Sequence, residues 1–507
     1  MKWLILSGLL FMTLGCEATS QKLAVTLETY RPAFHFSPAA GWINDPNGLV
    51  YYEGEYHLFY QYHPDDTVWG PMHWGHAVSR DLHHWQELPI ALFPDENGTI
   101  FSGSAIIDWH NTAGFGKEAM VAIFTHADDP IQQQSLAYST DNGRTWTKYD
   151  GNPVLKPLGN MPDFRDPKVI WYGDQETGHW VMPLAAGQAI LFFKSADLKS
   201  WESTGGFGLT DGAHDGFWET PDLFELPVQS TDATRWVLTV GVGSGAPAGG
   251  SGQQYFIGHF DGETFANEND PETVLWADYG ADFYAGQSWS DAPDGRRVWL
   301  GWLNNWTYAS KLPTATKNEG WRGAMSLPRE LALVYTADGI RMVQTPVTEF
   351  ARLRGETQRW QNEVIRGESD LLDGISAETV DIVAEFKITP ETDLVGIRVR
   401  VGNGQQTSIG YGHKQCVLFI DRSESGATTF SDDFTLLHTA PLESENDIVK
   451  LHIIVDRASV EVFANDGLVV MTEQIFPDDN ATGLSVFTNG SAVSLRHLAV
   501  TPLIAKP

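Results

Sequence analysis

Cysteine is almost absent from this 507-residue chain: only Cys16 and Cys416 occur. If Cys16 is removed with a leader or chemically modified, no disulfide can form within the chain, and the fold must rest on its apolar cores. Positive charge is also scarce. Lys and Arg number 33 against 65 Asp and Glu, a formal net charge of −32. Nucleic acids and anionic lipids both need a basic surface, so neither is expected as a partner, whereas a neutral substrate suits the chain. No His-Glu-x-x-His, Cys-x-x-Cys or calcium-loop pattern is present, so no metal and no other cofactor is expected in the chemistry. Beyond the first sixteen residues, no stretch is long and apolar enough to cross a bilayer as a helix.

The one apolar run stands at the start. Lys2 is followed by Trp3 to Leu14 and then Gly15-Cys16. The run has the length of a secretory h-region, and Gly-Cys directly after it resembles a bacterial lipoprotein signal, in which the cysteine is lipidated. Thr13 departs from the Leu usual in that signal. The expectation is a signal over residues 1–20 and an exported protein held at the bacterial cell envelope through Cys16. A periplasmic or secreted protein with an ordinary cleaved signal is the alternative.

Aromatics are abundant instead, at 12% with 19 Trp. Large cores use Trp, and so do surfaces on which sugars stack. The length calls for at least two domains. A repeat organises the first part: Ser79-Arg80-Asp81-Leu82-His83-His84-Trp85, Ser139-Thr140-Asp141-Asn142-Gly143-Arg144-Thr145-Trp146 and Ser195-Ala196-Asp197-Leu198-Lys199-Ser200-Trp201 share a strand-turn-aromatic form, with a looser copy at Phe260-Asp261-Gly262. Strand entrances recur in step, at Asp45, Ser102, Asp166, Glu219 and Asp282, with Pro46, Pro167 and Pro221 marking three of them. Proline is tolerated at the start of a strand and hardly inside one, so each preceding acid stands at the rim of a sheet.

A period of about sixty residues suits one four-stranded blade with its loops, and five entrances predict an all-β, five-bladed β-propeller over residues 30–335. A stacked sandwich would not demand a regular period. The propeller places the first residues of all inner strands at one mouth of a central channel, where Asp45, Asp166 and Glu219 converge. Residues 336–360 read as a connector. Alternating segments such as Val380–Phe386 and Leu451–Val455, and a hairpin signal at Asn465-Asp466-Gly467, predict a β-sandwich over residues 361–507. Its expected role is to stabilise the propeller.

Two carboxylates facing one bond are what glycoside hydrolysis needs, one donating a proton and the other attacking or activating water. Trp42-Ile43-Asn44-Asp45-Pro46-Asn47-Gly48, Phe164-Arg165-Asp166-Pro167-Lys168 and Trp218-Glu219-Thr220-Pro221-Asp222 resemble the three signature blocks of glycoside hydrolase family 32, which contains invertases, inulinases and levanases. Further similar segments are His57–Tyr62, Phe101-Ser102-Gly103-Ser104, Asn304-Asn305-Trp306 and Trp321–Glu330. The resemblance implies a five-bladed propeller with a C-terminal sandwich, and a retaining β-fructofuranosidase acting on terminal fructosyl units of inulin or levan and on sucrose. It implies Asp45 as nucleophile, Glu219 as general acid/base and Asp166 as the stabiliser that grips hydroxyls of the fructosyl ring.

Asn44, Gln61, Trp69, Phe101, Ser102 and Arg165 match positions lining the fructose subsite, and Trp42 and Trp306 would be its aromatic walls. A fructosyltransferase using the same residues and a non-catalytic fructan-binding protein are the alternatives. Linkage preference and oligomeric state stay open. The family usually carries Cys after the acid/base, where this chain has Thr220. A hydroxyl aimed at the Glu219 carboxylate would favour its charged form, which is the expectation for Thr220.

Overall fold

A computed structural model describes residues 28–157, 159, 161, 163–317 and 319–504. The expected signal and Cys16 lie outside the described residues.

Five sheets precede residue 347. The first contains Gly41–Tyr52, Glu55–His63, His73–Ser79 and Trp85–Leu92, and the second runs from Thr99–Asp108 through Ala119–Asp128 and Ile131–Ser139 to Thr147–Lys148. The third is built on Phe164–Arg165, Ile170–Tyr172, His179–Ala186, Ile190–Ser195 and Glu202–Phe207. The fourth opens with Trp218–Pro227 and the fifth with Tyr284–Ser288. The opening strands of neighbouring sheets lie side by side, except that the fourth's lies against His179–Ala186 of the third; the fifth's lies beside the first. This closes the sheets into a β-propeller, and short parallel pairing of Trp321–Arg322 with Gly41–Trp42 fastens the ring.

The repeated acids are turn caps. Asp81, Asp141, Asp197 and Asp261 each accept backbone N–H groups from the residues that follow, as in Asp141 Oδ1 with Thr145 N at 2.9 Å and Asp261 Oδ1 with Thr264 N at 2.7 Å. This local bonding is why Asp recurs where the third strand of a blade turns into the fourth.

The expected domain boundary at residue 335 needs correction. Arg329–Thr336 pairs along its whole length with Gly339–Pro346, so the fifth sheet reaches Pro346. Ile340 and Met342 are buried and alternate with more exposed neighbours, and Gly339 takes a φ of +107° at the turn. The last strand is amphipathic and poor in aromatics, so it does not carry the repeat's signature. The connector shrinks to the turn Thr348–Leu353 and its flanks, because Gln358–Ile365 already pairs with Val493–Pro502 in the second domain.

That domain is two six-stranded antiparallel sheets packed as a β-sandwich. Ile382, Phe386, Ile397, Ile409, Leu451 and Val462 are among the residues filling the space between them. Among the described residues Cys416 is a free thiol.

The two domains meet over an apolar cluster that includes Phe34, Leu327, Phe350, Phe463 and Val470. The Asn465-Asp466-Gly467 hairpin docks on the fifth blade, where Gln344 N donates to Gly467 O at 3.0 Å. A Cβ at Gly467 would sit 1.8 Å from Gln344 O, so only glycine allows this approach.

Beside the cluster lies a buried ionic network. Arg329 bonds Asp278 at 3.0 Å, Glu461 at 2.5 Å, Thr472 at 2.6 Å and Gln344 at 3.1 Å. Arg422 meets Asp282 at 2.9 Å and Glu473 at 2.7 Å. The His35 ring lies between Asp456 and Glu461, at 2.7 and 2.8 Å.

Candidate active site

Four of the five inner strands change register where they enter their sheets. The slips fall between Ile43 and Pro46, Phe101 and Gly103, Glu219 and Asp222, and Tyr284 and Gln287. Slips of this kind re-aim side chains locally. At the same height Asp166 and Thr220 hold φ angles of +63° and +46°. For a β-branched residue such as Thr220 that is a strained backbone, a kind of strain that gathers at functional sites.

The result is a pocket of about 290 Å³ at the channel mouth. Asp45, Asp166 and Glu219 line it together, as do Asn44, Gln61, Ser102 and Arg165. Trp69, Phe101 and Trp306 form its aromatic part. Ten of the eleven residues singled out from sequence thus share one cavity.

Trp42 is the exception. It is 1% exposed, and its indole Nε1 donates to Asn44 Oδ1 at 2.8 Å. Asn44 Nδ2 in turn donates to Asp45 Oδ1 at 3.1 Å. Trp42 is therefore not a wall of the pocket but the support behind one. Trp306 does face the cavity, stacked on Trp42 with ring centroids 6.1 Å apart.

The three carboxylates have different company. Asp45 Oδ2 accepts from Ser102 Oγ at 2.7 Å. Burial and the charge of Glu219 push Asp45 up to about 6, against the hydrogen bonds from Ser102 and Asn44. Asp166 accepts from the backbone N of Thr220 at 3.0 Å, and its own N donates to Thr125 Oγ1 at 3.1 Å. Burial raises Asp166 too; the Arg165 guanidinium opposes this, and the charges of Glu219 and Asp45 add to it. Glu219 Oε1 accepts from Arg165 Nη2 at 2.8 Å and Nε at 3.1 Å, while its Oε2 accepts from the Tyr284 hydroxyl at 2.5 Å. Arg165 also pairs with Asp163 and lies over the Phe217 ring.

Three site residues escaped the reading of the sequence. Tyr284 holds Glu219, and Phe217 and Gly243 line the pocket. Tyr284 belongs to the fifth strand entrance, where Asp282 is the residue the repeat points to. Asp282 faces the other way. Its backbone N bonds Thr472 O in the sandwich, and its carboxylate takes Tyr308, Arg422 and Gln474.

The expectation for Thr220 is also corrected. Its Oγ1 is buried without a hydrogen-bond partner, and the donors to Glu219 are Arg165 and Tyr284. With the chain turned to positive φ, it is the backbone N–H of Thr220 that works in the site, and it serves Asp166.

Such a pocket can hold one small polar ring, with aromatic faces at its rim and two carboxylates free to act on opposite ends of a bond. Comparison with known proteins agrees in both domains. Residues 35–346 match the Glycosyl hydrolases family 32 N-terminal domain, and residues 349–502 match the Glycosyl hydrolases family 32 C-terminal domain. A levanase of Bacillus subtilis (strain 168) is 52% identical over 503 residues, covering 97% of this chain and 73% of that protein. An extracellular exo-inulinase of Aspergillus awamori is 36% identical over 502 residues, covering 91% of this chain and 92% of that protein. The crystal structure of the Aspergillus awamori exo-inulinase superposes with a TM-score of 0.87 at 35% identity, over 94% of this chain and 98% of that one. With both of its domains matched, the chain belongs to glycosyl hydrolase family 32.

Proposed function

We propose that the protein is an exported, retaining β-fructofuranosidase that releases terminal fructosyl units from levan or inulin and also cleaves sucrose. Asp45 attacks the anomeric carbon, Glu219 protonates the leaving oxygen and later activates water, and Asp166 binds hydroxyls of the fructosyl ring. The convergence of these three acids in one 290 Å³ pocket, with Ser102 and Asn44 orienting Asp45, is the observation that carries this reading. The names of the relatives support the substrate class, and the word extracellular in one of them supports export. Intact acids argue against a module that only binds fructan.

Incubation with levan, inulin and sucrose tests the proposal. Free fructose is the expected main product, with the β-anomer appearing first by NMR. Absence of fructose from all three substrates would overturn it, longer oligosaccharides as the main product would point to transfer, and the α-anomer would point to inversion. The envelope anchor at Cys16 is tested by mass spectrometry of the processed N-terminus, where a diacylglyceryl cysteine is expected.

A further inference from the structure

The turn that follows His73–Ser79 in the first blade holds a cluster that hydrolysis does not use. Asp81 Oδ1 caps this turn by accepting from His84 N at 2.9 Å, as Asp197 Oδ1 accepts from Ser200 N at 2.8 Å in the third blade. The third blade makes the same turn with Lys199 and Ser200 where the first has His83 and His84. The turn therefore needs no imidazole, and the two histidines are additional to it.

The second carboxylate oxygen takes a hydroxyl in the second and third blades, Thr145 Oγ1 at 2.7 Å and Ser200 Oγ at 3.5 Å, and in the first blade it meets imidazole nitrogens instead. Asp81 Oδ2 lies 2.9 Å from His84 Nδ1 and 3.4 Å from His83 Nε2. The His83 side chain is only 6% exposed, and its Nε2 has no hydrogen-bond partner. Its other nitrogen, Nδ1, lies 2.6 Å from the Asp81 carbonyl oxygen. A carbonyl can only accept, so the proton resides on Nδ1 and a bare lone pair is left on Nε2, the same orienting hydrogen bond that metal-bound histidines make.

Ligand atoms held tetrahedrally about 2.0–2.1 Å from a zinc ion stand about 3.3 Å apart. The separations of 2.9 and 3.4 Å here fall on either side of that value. A cavity of about 300 Å³, lined in part by His83, Trp85 and Glu87, adjoins the cluster and gives room for a bound water and a path for entry. We propose that Asp81 Oδ2, His83 Nε2 and His84 Nδ1 bind one divalent transition metal of the zinc class, with water completing the shell. Two imidazoles and one carboxylate favour zinc, nickel or copper over magnesium or calcium.

One group opposes the ion. Arg352 Nη1 lies 3.9 Å from Asp81 Oδ2, on a side chain 65% exposed and able to swing away. Its guanidinium and the metal compete for the same oxygen.

The test is titration of the chelator-treated full chain with Zn²⁺ at neutral pH, by calorimetry and by competition with a chromophoric chelator. One ion per chain is expected, with a rise in Tm on binding. His84→Ala keeps the backbone donor of the turn and should weaken binding at least about tenfold, as should His83→Gln. Arg352→Ala should tighten binding, and the rate of fructose release should be the same with and without zinc. No saturable uptake at a modest excess of Zn²⁺ overturns the proposal, and so does uptake left undiminished in His84→Ala.

Discussion

At the channel mouth Asp45, Asp166 and Glu219 face one another, with Arg165 as the guanidinium that pairs with Asp166 and Glu219. At the domain interface Asp456, Glu461 and Glu473 are buried at least as deeply, and they meet Arg329, Arg422, His35 and His438. Burial by itself raises Asp45 and Asp166 at the mouth and all three acids at the interface. At the interface Arg329 and His35 outweigh it at Glu461, Arg422 and His438 outweigh it at Glu473, and His35 does so at Asp456, so all three fall below the usual carboxylate range. At the mouth the neighbours are other acids, and Asp45 rises to about 6. The same side chains thus form a satisfied joint in one place and a store of unfavourable charge in the other. In the proposed mechanism the pocket keeps that charge because one acid, Glu219, must give and take a proton beside an ionised nucleophile, Asp45.

The largest effect that could break this comparison is on turnover. Asp45→Asn and Glu219→Gln should each lower kcat on sucrose by at least about a thousandfold while leaving the fold intact by circular dichroism. Near-normal fructose release from either variant would remove the mouth from the chemistry. At the joint, Arg329→Met leaves Asp278 buried without its cation and Glu461 with His35 alone, and should cost about 3–5 kcal/mol in denaturant unfolding, with activity per folded molecule retained.

The sign of the pH dependence separates the two regions further. His35 rises from 6.5 to about 9 because Asp456 and Glu461 bond it and outweigh its burial. A raised histidine stabilises the fold fully below its unfolded value and loses that contribution as pH climbs through the folded one. The stability gap between wild type and His35→Gln should therefore reach about 3 kcal/mol at pH 6 and close toward pH 10.

Asp45 runs the other way. Its raised value means that the fold loses stability between the ordinary carboxylate range and pH 6. Asp45→Asn should therefore be more stable than wild type at pH 7, by up to about 3 kcal/mol less whatever its bonds to Ser102 and Asn44 contribute, with no gain at pH 3. The smallest effect is reserved for Thr220. With no hydrogen bond between its hydroxyl and Glu219, Thr220→Cys should leave the alkaline limb of the kcat/KM profile where it is. A limb moved to higher pH would restore the hydroxyl to the acid's company.

The pocket was legible from sequence because its residues sit in local patterns: an acid, a proline and an apolar strand, repeated at one period. What escaped was set by contacts between distant segments. Asp282 fits the periodic pattern, yet the sandwich edge near Thr472 captures its backbone and turns its carboxylate into the interface. Tyr284, two residues on, reaches Glu219 from another blade. Trp42 belongs to a signature block, and only its burial shows that it acts through Asn44. The end of the propeller was misplaced for a related reason: its last strand earns its position by pairing with Arg329–Thr336 and carries none of the aromatics that mark earlier blades.

The clasp between Gly41–Trp42 and Trp321–Arg322 also sets an order of events. The strand that carries Asp45 is among the first parts of the propeller to be synthesised, and its parallel partner is among the last. A chain emerging from the ribosome, or threading through a translocation pore, holds the Asp45 block long before Glu219, Tyr284 and the clasp can join it. The pocket draws on segments from Asn44 to Trp306, so the clasp joins the strand that carries the first of them to a segment that follows the last.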